Sequence, residues 1–110
     1  MSRVRRIQGC FVFAALALSG CASLETIAPP VTPGLVGASR GAAAGTLEEG
    51  RRIFTGACTA CHAADPVKKY SVSEWRGIVA DMSARTKLTP ARESALLAYL
   101  TAARSTPPAP

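Results

Sequence analysis

Large aromatic side chains and histidine are scarce in this sequence. Its 110 residues include three Phe, two Tyr, one Trp and one His. A chain this short builds one small domain and excludes an enzyme with separate substrate and cofactor lobes. Phe11 and Phe13 fall in a segment read below as a leader, which leaves Phe54, Tyr70, Trp75 and Tyr99 for the fold. A core so thin calls for something non-protein to complete it. Charge is modest, at 18% of residues, and the formal net of +6 leans on Arg3, Arg5 and Arg6. Beyond those three, ten Lys and Arg stand against seven acids, a net of +3, which gives no electrostatic footing for nucleic acid. Long apolar runs are missing as well. The block at 10–18 is nine residues, too short to cross a bilayer as a helix.

What that block does fit is export. Residues 2–9 carry three arginines and no acid, and the uncharged run at 10–18 follows directly. This is the n-region and h-region of a bacterial signal peptide. The run ends in Leu18-Ser19-Gly20-Cys21, which resembles the lipobox of bacterial lipoproteins. That resemblance implies cleavage before Cys21, a thioether-linked diacylglycerol on its thiol and a further acyl chain, such as palmitate, on its amine. Several chains on one residue anchor firmly where a single chain holds marginally. It also implies that Ala22, which is not Asp, directs the product to the periplasmic face of the outer membrane. Cys10 leaves with the leader at 1–20, so Cys58 and Cys61 are the remaining free thiols.

From 22 to 45 the chain is rich in Ala, Pro, Gly, Thr and Ser, with three prolines and four glycines and no hydrophobic period. With lipidated Cys21, residues 21–45 read as a flexible tether that lets a domain swing clear of a membrane. The Pro-rich end at 105–110 reads as a frayed tail.

The folding unit is then 46–104. Thr46-Leu-Glu-Glu49 has capping-box spacing and predicts a helix to about Ala57, with Leu47, Gly50, Ile53, Phe54 and Ala57 on one face. Gly50 on that face suits a close approach by another backbone. A second helix is predicted from Ser73 to about Ser83, capped by Ser71 or Ser73, with Trp75, Ile78, Val79 and Met82 along one side. Thr89 as N-cap and Pro90 at the first position open a third helix, whose apolar face is Leu96, Leu97, Tyr99 and Leu100. No segment reads as a strand. The expected fold class is all-α, with three to four helices.

Between the first two helices lies Cys58-Thr-Ala-Cys61-His62, a C-x-x-C-H. Two thiols at this spacing can form thioethers with the two vinyl groups of haem, while the next residue offers an imidazole to iron. His62 is the single histidine and stands in the required place. By residue frequency the pattern arises by chance in roughly one chain in a thousand of this length. Three other readings use the same residues. One is a thioredoxin-like redox pair, for which the strands are missing. Another is a zinc site, one ligand short unless a carboxylate such as Asp65 joins. The last is a structural disulfide.

Over 46–103 the chain resembles the small class I cytochromes c. Gly50 and Phe54 match the family's N-terminal helix, Leu96 and Tyr99 its C-terminal helix. Trp75…Met82, Leu88-Thr-Pro90 and Tyr99-Leu100 match its later landmarks. The resemblance implies one covalent haem c on Cys58 and Cys61, with His62 as axial ligand and Met82 as the sixth. Met82 is the one methionine beyond Met1, and it is placed at the end of a predicted helix where many members use a loop. The family also implies that the Pro66 carbonyl receives the His62 Nδ1–H, and that Phe54 and Trp75 pack the haem. Lys68, Lys69 and Tyr70 form a short basic patch that reads as a docking surface for an acidic partner or as a solvated loop. The expected role is one-electron carriage by a membrane-tethered monomer between redox partner proteins, with no catalysis of its own. Two alternatives stand beside it: a haem sensor with a labile Met82, and the electron-accepting subunit of a periplasmic dehydrogenase.

Overall fold

The computed structural model describes residues 23–59 and 63–107. Within them the chain forms five α-helices and no strand: α1 (Leu24–Ile27), α2 (Pro33–Ala38), α3 (Ala44–Thr55), α4 (Val72–Thr86) and α5 (Pro90–Ser105). Short 3-10 turns follow α3 at Ala57–Thr59 and precede α4 at Val67–Lys69. The all-α expectation holds as a compact domain, with five helices among the described residues where three to four were expected. The signal peptide and Cys21 lie outside the described residues.

The hub is the crossing of α3 and α5. Leu47, Gly50, Ile53 and Phe54 form the buried stripe of α3, and Ala95, Leu96, Tyr99, Leu100, Ala102 and Ala103 that of α5. A Cβ on Gly50 would collide with the Ala95 carbonyl oxygen and lie 2.6 Å from Tyr99 Cβ. The two backbones meet where only hydrogen fits. Helix α4 closes the third side with Trp75 and Val79.

Capping explains three helix starts and corrects a fourth. Thr89 Oγ1 accepts from Arg92 N at 3.3 Å, and Pro90 follows as expected. At α4 the cap is Ser71, in a reciprocal box: Ser71 Oγ accepts from Glu74 N at 3.2 Å, and the Glu74 carboxylate accepts from Ser71 N at 2.7 Å. That backbone donor holds the Glu74 carboxyl below its ordinary value. The box expected at Thr46 and Glu49 does not form. Helix α3 starts earlier, at Ala44, with no side-chain cap, and Glu49 pairs instead with Arg52 and Arg92. Helix α3 also stops at Thr55, and α4 runs on to Thr86, where Lys87 takes a left-handed conformation and ends it.

The largest correction concerns the tether. Helix α2 is built there on Thr32, whose Oγ1 accepts from Leu35 N at 3.2 Å, with Pro33 at the first position. Ala28 and Leu35 are 0% and 1% exposed, members of the same core as Tyr99 and Leu100. The Ala28 carbonyl accepts from Arg51 Nε at 3.1 Å and the Pro29 carbonyl from Tyr99 Oη at 2.7 Å. Ser39 locks the turn into α3, donating to Val36 O at 2.6 Å and accepting from Ala42 N at 3.1 Å. Residues 23–45 are a strap on the domain, so 46 is no boundary in packing. At the other end Ser105 belongs to α5, and Lys68 Nζ donates to the carbonyls of Arg104, at 2.8 Å, and Thr106.

Two predictions follow from these contacts. Gly50→Ala should lose on the order of 3 kcal/mol, because backbone on both sides cannot yield. Gly77→Ala, where a Cβ meets nothing within 4 Å, should gain roughly 0.5–1 kcal/mol of helix propensity. Urea melts of the full chain read both, and equal effects at the two sites would refute the close crossing. Tyr99 supplies the second test. Its phenol is pushed up to about 12, chiefly by burial, with the Arg51 charge pulling the other way. A raised folded value means that the neutral phenol's contribution is complete below the ordinary value of 10.0 and is lost as pH climbs from there to about 12. The loss amounts to roughly 2–3 kcal/mol. Tyr99→Phe should be less stable at neutral pH but lack this part of the alkaline decline, measured by denaturation on both sides of the window.

Candidate functional site

A cavity of about 220 Å³ opens between the end of α3, the turn after it, α4 and α5. Its walls are apolar apart from Cys58, Asp65 and the Tyr70 hydroxyl: Phe54 comes from α3, Trp75, Ile78, Val79 and Met82 from α4, and Leu96 and Leu100 from α5. Helical spacing puts the α4 residues on one side, since 75, 78, 79 and 82 are separated by three, one and three.

The aromatic wall is fixed from both ends. Phe54 and Trp75 are 3% and 5% exposed and meet edge to face, centroids 5.7 Å apart at 90°. Tyr70 meets the other side of Trp75 in the same way, at 5.1 Å and 85°. Trp75 Nε1 donates to the buried Val67 carbonyl at 2.8 Å, which ties the 3-10 turn at 67–69 to α4. At the rim, Asp65 accepts from Lys69 Nζ at 2.7 Å and from Tyr70 Oη at 3.1 Å. Lys69 is raised above its ordinary value by this bond to Asp65 first and by Tyr70 second.

Of the residues singled out in the sequence, Phe54, Cys58, Trp75 and Met82 line this one cavity. Cys61 and His62 lie outside the described residues, as does Ala60. Cys58 is half-buried on the turn at Ala57–Thr59, and burial pushes its thiol above the ordinary 9.0. A thiol held protonated at neutral pH is the reverse of the depressed thiolate that disulfide exchange uses. Met82 is half-buried and sits inside α4, a full turn before its end, with its carbonyl accepting from Thr86 Oγ1 at 2.8 Å. The expectation that it closes the helix is corrected. Pro66 is not a cavity wall: it precedes the 3-10 turn, and its carbonyl accepts from Lys69 N at 2.9 Å. Among the described residues no three His, Cys, Asp or Glu gather as a metal-binding group.

The basic patch resolves into internal contacts. Lys68 closes the C-terminal end of α5 and is pushed below its ordinary value by burial first and the Arg104 charge second. Lys69 and Tyr70 hold Asp65. Sequence reasoning missed Asp65 and Tyr70 as cavity wall, although the spacing of an acid at 65 and a base at 69 is the signal of a local ion pair.

The cavity is apolar with one polar edge, formed by Cys58, Asp65 and Tyr70. Cys58 and Met82, on separate elements, both line it. Comparison with family models, with curated proteins and with solved structures found no match, so the residues alone carry the reading.

Trp75→Phe keeps a ring between Phe54 and Tyr70 but leaves the buried Val67 carbonyl without a donor. We expect a loss of about 1–3 kcal/mol in chemical denaturation. Unchanged stability would show that the bond does not hold the turn at 67–69 in place.

Proposed function

We propose that the chain is a membrane-anchored monohaem c-type cytochrome that carries single electrons between periplasmic redox partners. The reading is supported by the Cys58-x-x-Cys61-His62 motif in the sequence, whose Cys58 lines an apolar cavity together with Met82. In this reading the fold is class I cytochrome c-like. Cys58 and Cys61 would hold the haem through thioethers, and His62 and Met82 would be the residues offered to its iron. The bound haem supplies reversible one-electron chemistry at iron. The remaining work belongs to the chain. Phe54, Trp75, Ile78 and Leu96 exclude water from the cavity, and burial of this kind favours the less charged reduced state. Trp75 and Tyr70 fix the wall, and Pro66 offers a carbonyl to orient His62. Acylated Cys21 anchors the protein at the periplasmic face of the outer membrane. In this reading the protein moves electrons and leaves bond chemistry to a partner; the alternative is service as the electron-accepting subunit of a periplasmic dehydrogenase.

A second reading has one observation in its favour. Met82 is carried on a helix, inside α4, and not on a loop that can settle around iron. A labile Met82 would leave a position for a gas and make the protein a haem sensor.

Optical spectra of protein from a host with haem-attachment machinery separate the two. For the carrier we expect a reduced c-type spectrum and an oxidised far-red methionine–iron band, with no response to carbon monoxide. Met82→Ala should lose the band and bind carbon monoxide. Ready binding by the unaltered protein would replace the carrier with the sensor, and absence of covalent haem would remove both.

A further inference from the structure

The strap changes what the lipid anchor can do. A free tether of 24 residues has an r.m.s. span of about 27 Å and a stretched reach of about 80 Å. Here the chain is tied down from Ala28 onwards, seven positions after Cys21. Ala28 and Leu35 are buried in the core, and the carbonyls of Ala28 and Pro29 are held by Arg51 and Tyr99. Ser23 and Glu25 lie in a groove shared with Lys68, Ala103 and Thr106, which places the start of the strap at the C-terminal end of α5. Between Cys21 and Ala28, the first buried residue, there are seven links, at most about 25 Å of chain. Among the described residues Leu24 is the large hydrophobic side chain left exposed, at 54%, three positions from Cys21.

We infer that the C-terminal end of α5, with Leu24 beside it, is a membrane-contact surface. The acylated chain is held flat against the bilayer in one orientation instead of swinging on a leash. This rests on the proposed lipidation of Cys21 and on nothing about the haem. Leu24 enters the headgroup boundary beside the acyl chains, and the strap transmits that position to α5 through Tyr99. The N-terminal end of α5 stands about 24 Å farther away if the helix is upright. A carrier so held meets its partners over a narrow range of heights, which sets how they must approach.

The test uses the full, exported and acylated chain in phosphatidylethanolamine–phosphatidylglycerol vesicles doped with a nickel-chelating lipid. Nitroxide labels are placed singly on Ser94→Cys and Ser105→Cys, both exposed and both on α5. Relaxation by nickel is read against vesicles without it, so that any contribution from iron cancels. We expect the enhancement at position 105 to exceed that at 94 several-fold, and a flexible Gly–Ser insert between Ala22 and Ser23 to abolish the difference. Equal, weak enhancement at both positions, or no response to the insert, overturns the fixed orientation. Mass analysis of the N-terminal peptide from the same sample keeps the two claims apart. Acyl chains on Cys21 with equal labels sink the orientation alone, whereas an unmodified Cys21 sinks the anchor and the orientation with it.

Discussion

At Gly50 the backbone of α3 lies against the Ala95 carbonyl and Tyr99 Cβ with no room for a methyl group. Two helices that approach this closely gain dispersion contacts along their whole crossing, and they fix each other's rotation. Phe54, one turn beyond Gly50, is thereby set 6.3 Å from the Tyr99 ring and 5.7 Å from Trp75, where it forms a wall of the cavity. Tyr99 is set with its ring in the core and its hydroxyl reaching out to Pro29. The same contact therefore shapes the cavity on one side and fastens the strap on the other.

Two buried aromatic polar groups are satisfied in the same way, whereas Ser83 Oγ is buried without a partner. Trp75 Nε1 finds the Val67 carbonyl, and Tyr99 Oη finds the Pro29 carbonyl. Each bond joins a helix to a segment that has little regular structure of its own, and each would cost more to leave unmade than it contributes when made. Surface ion pairs, such as Arg85 with Asp81 at 3.3 Å, are exposed and add little by comparison. The domain is held by one tight crossing and two aromatic hydrogen bonds to carbonyls outside the main helices.

The helices that build the cavity were legible because their signals are local. Thr89-Pro90 is a cap followed by a residue already fixed in helical φ, and the stripe Leu47, Gly50, Ile53, Phe54 repeats at helical spacing. Helices α1 and α2 were not read, though Thr32-Pro33 carries the same signature as Thr89-Pro90. Proline and glycine density argued for a free chain, and the burial of Ala28 and Leu35 depends on partners some 60 to 70 positions away that no local pattern announces. Thr46 and Glu49 had the spacing of a capping box, but the backbone was already helical from Ala44, so the cap had nothing to satisfy. Cys58, Phe54, Trp75 and Met82 were named from sequence and share one cavity. Asp65 and Tyr70 became part of it only through the turn that brings them back against Trp75.

A small chain with few aromatics thus arranges its apolar side chains as the lining of a cavity as well as a core, with a thiol and a thioether on that lining. The proposed covalent haem is a reading of the thiol and thioether on that lining together with the thinness of the core. The most direct check is the intact mass of the exported chain, with a count of its free thiols after unfolding. This account predicts one haem added on the peptide that spans Cys58 and Cys61, and no free thiol at either. Two free thiols there, or a disulfide between them, would contradict it.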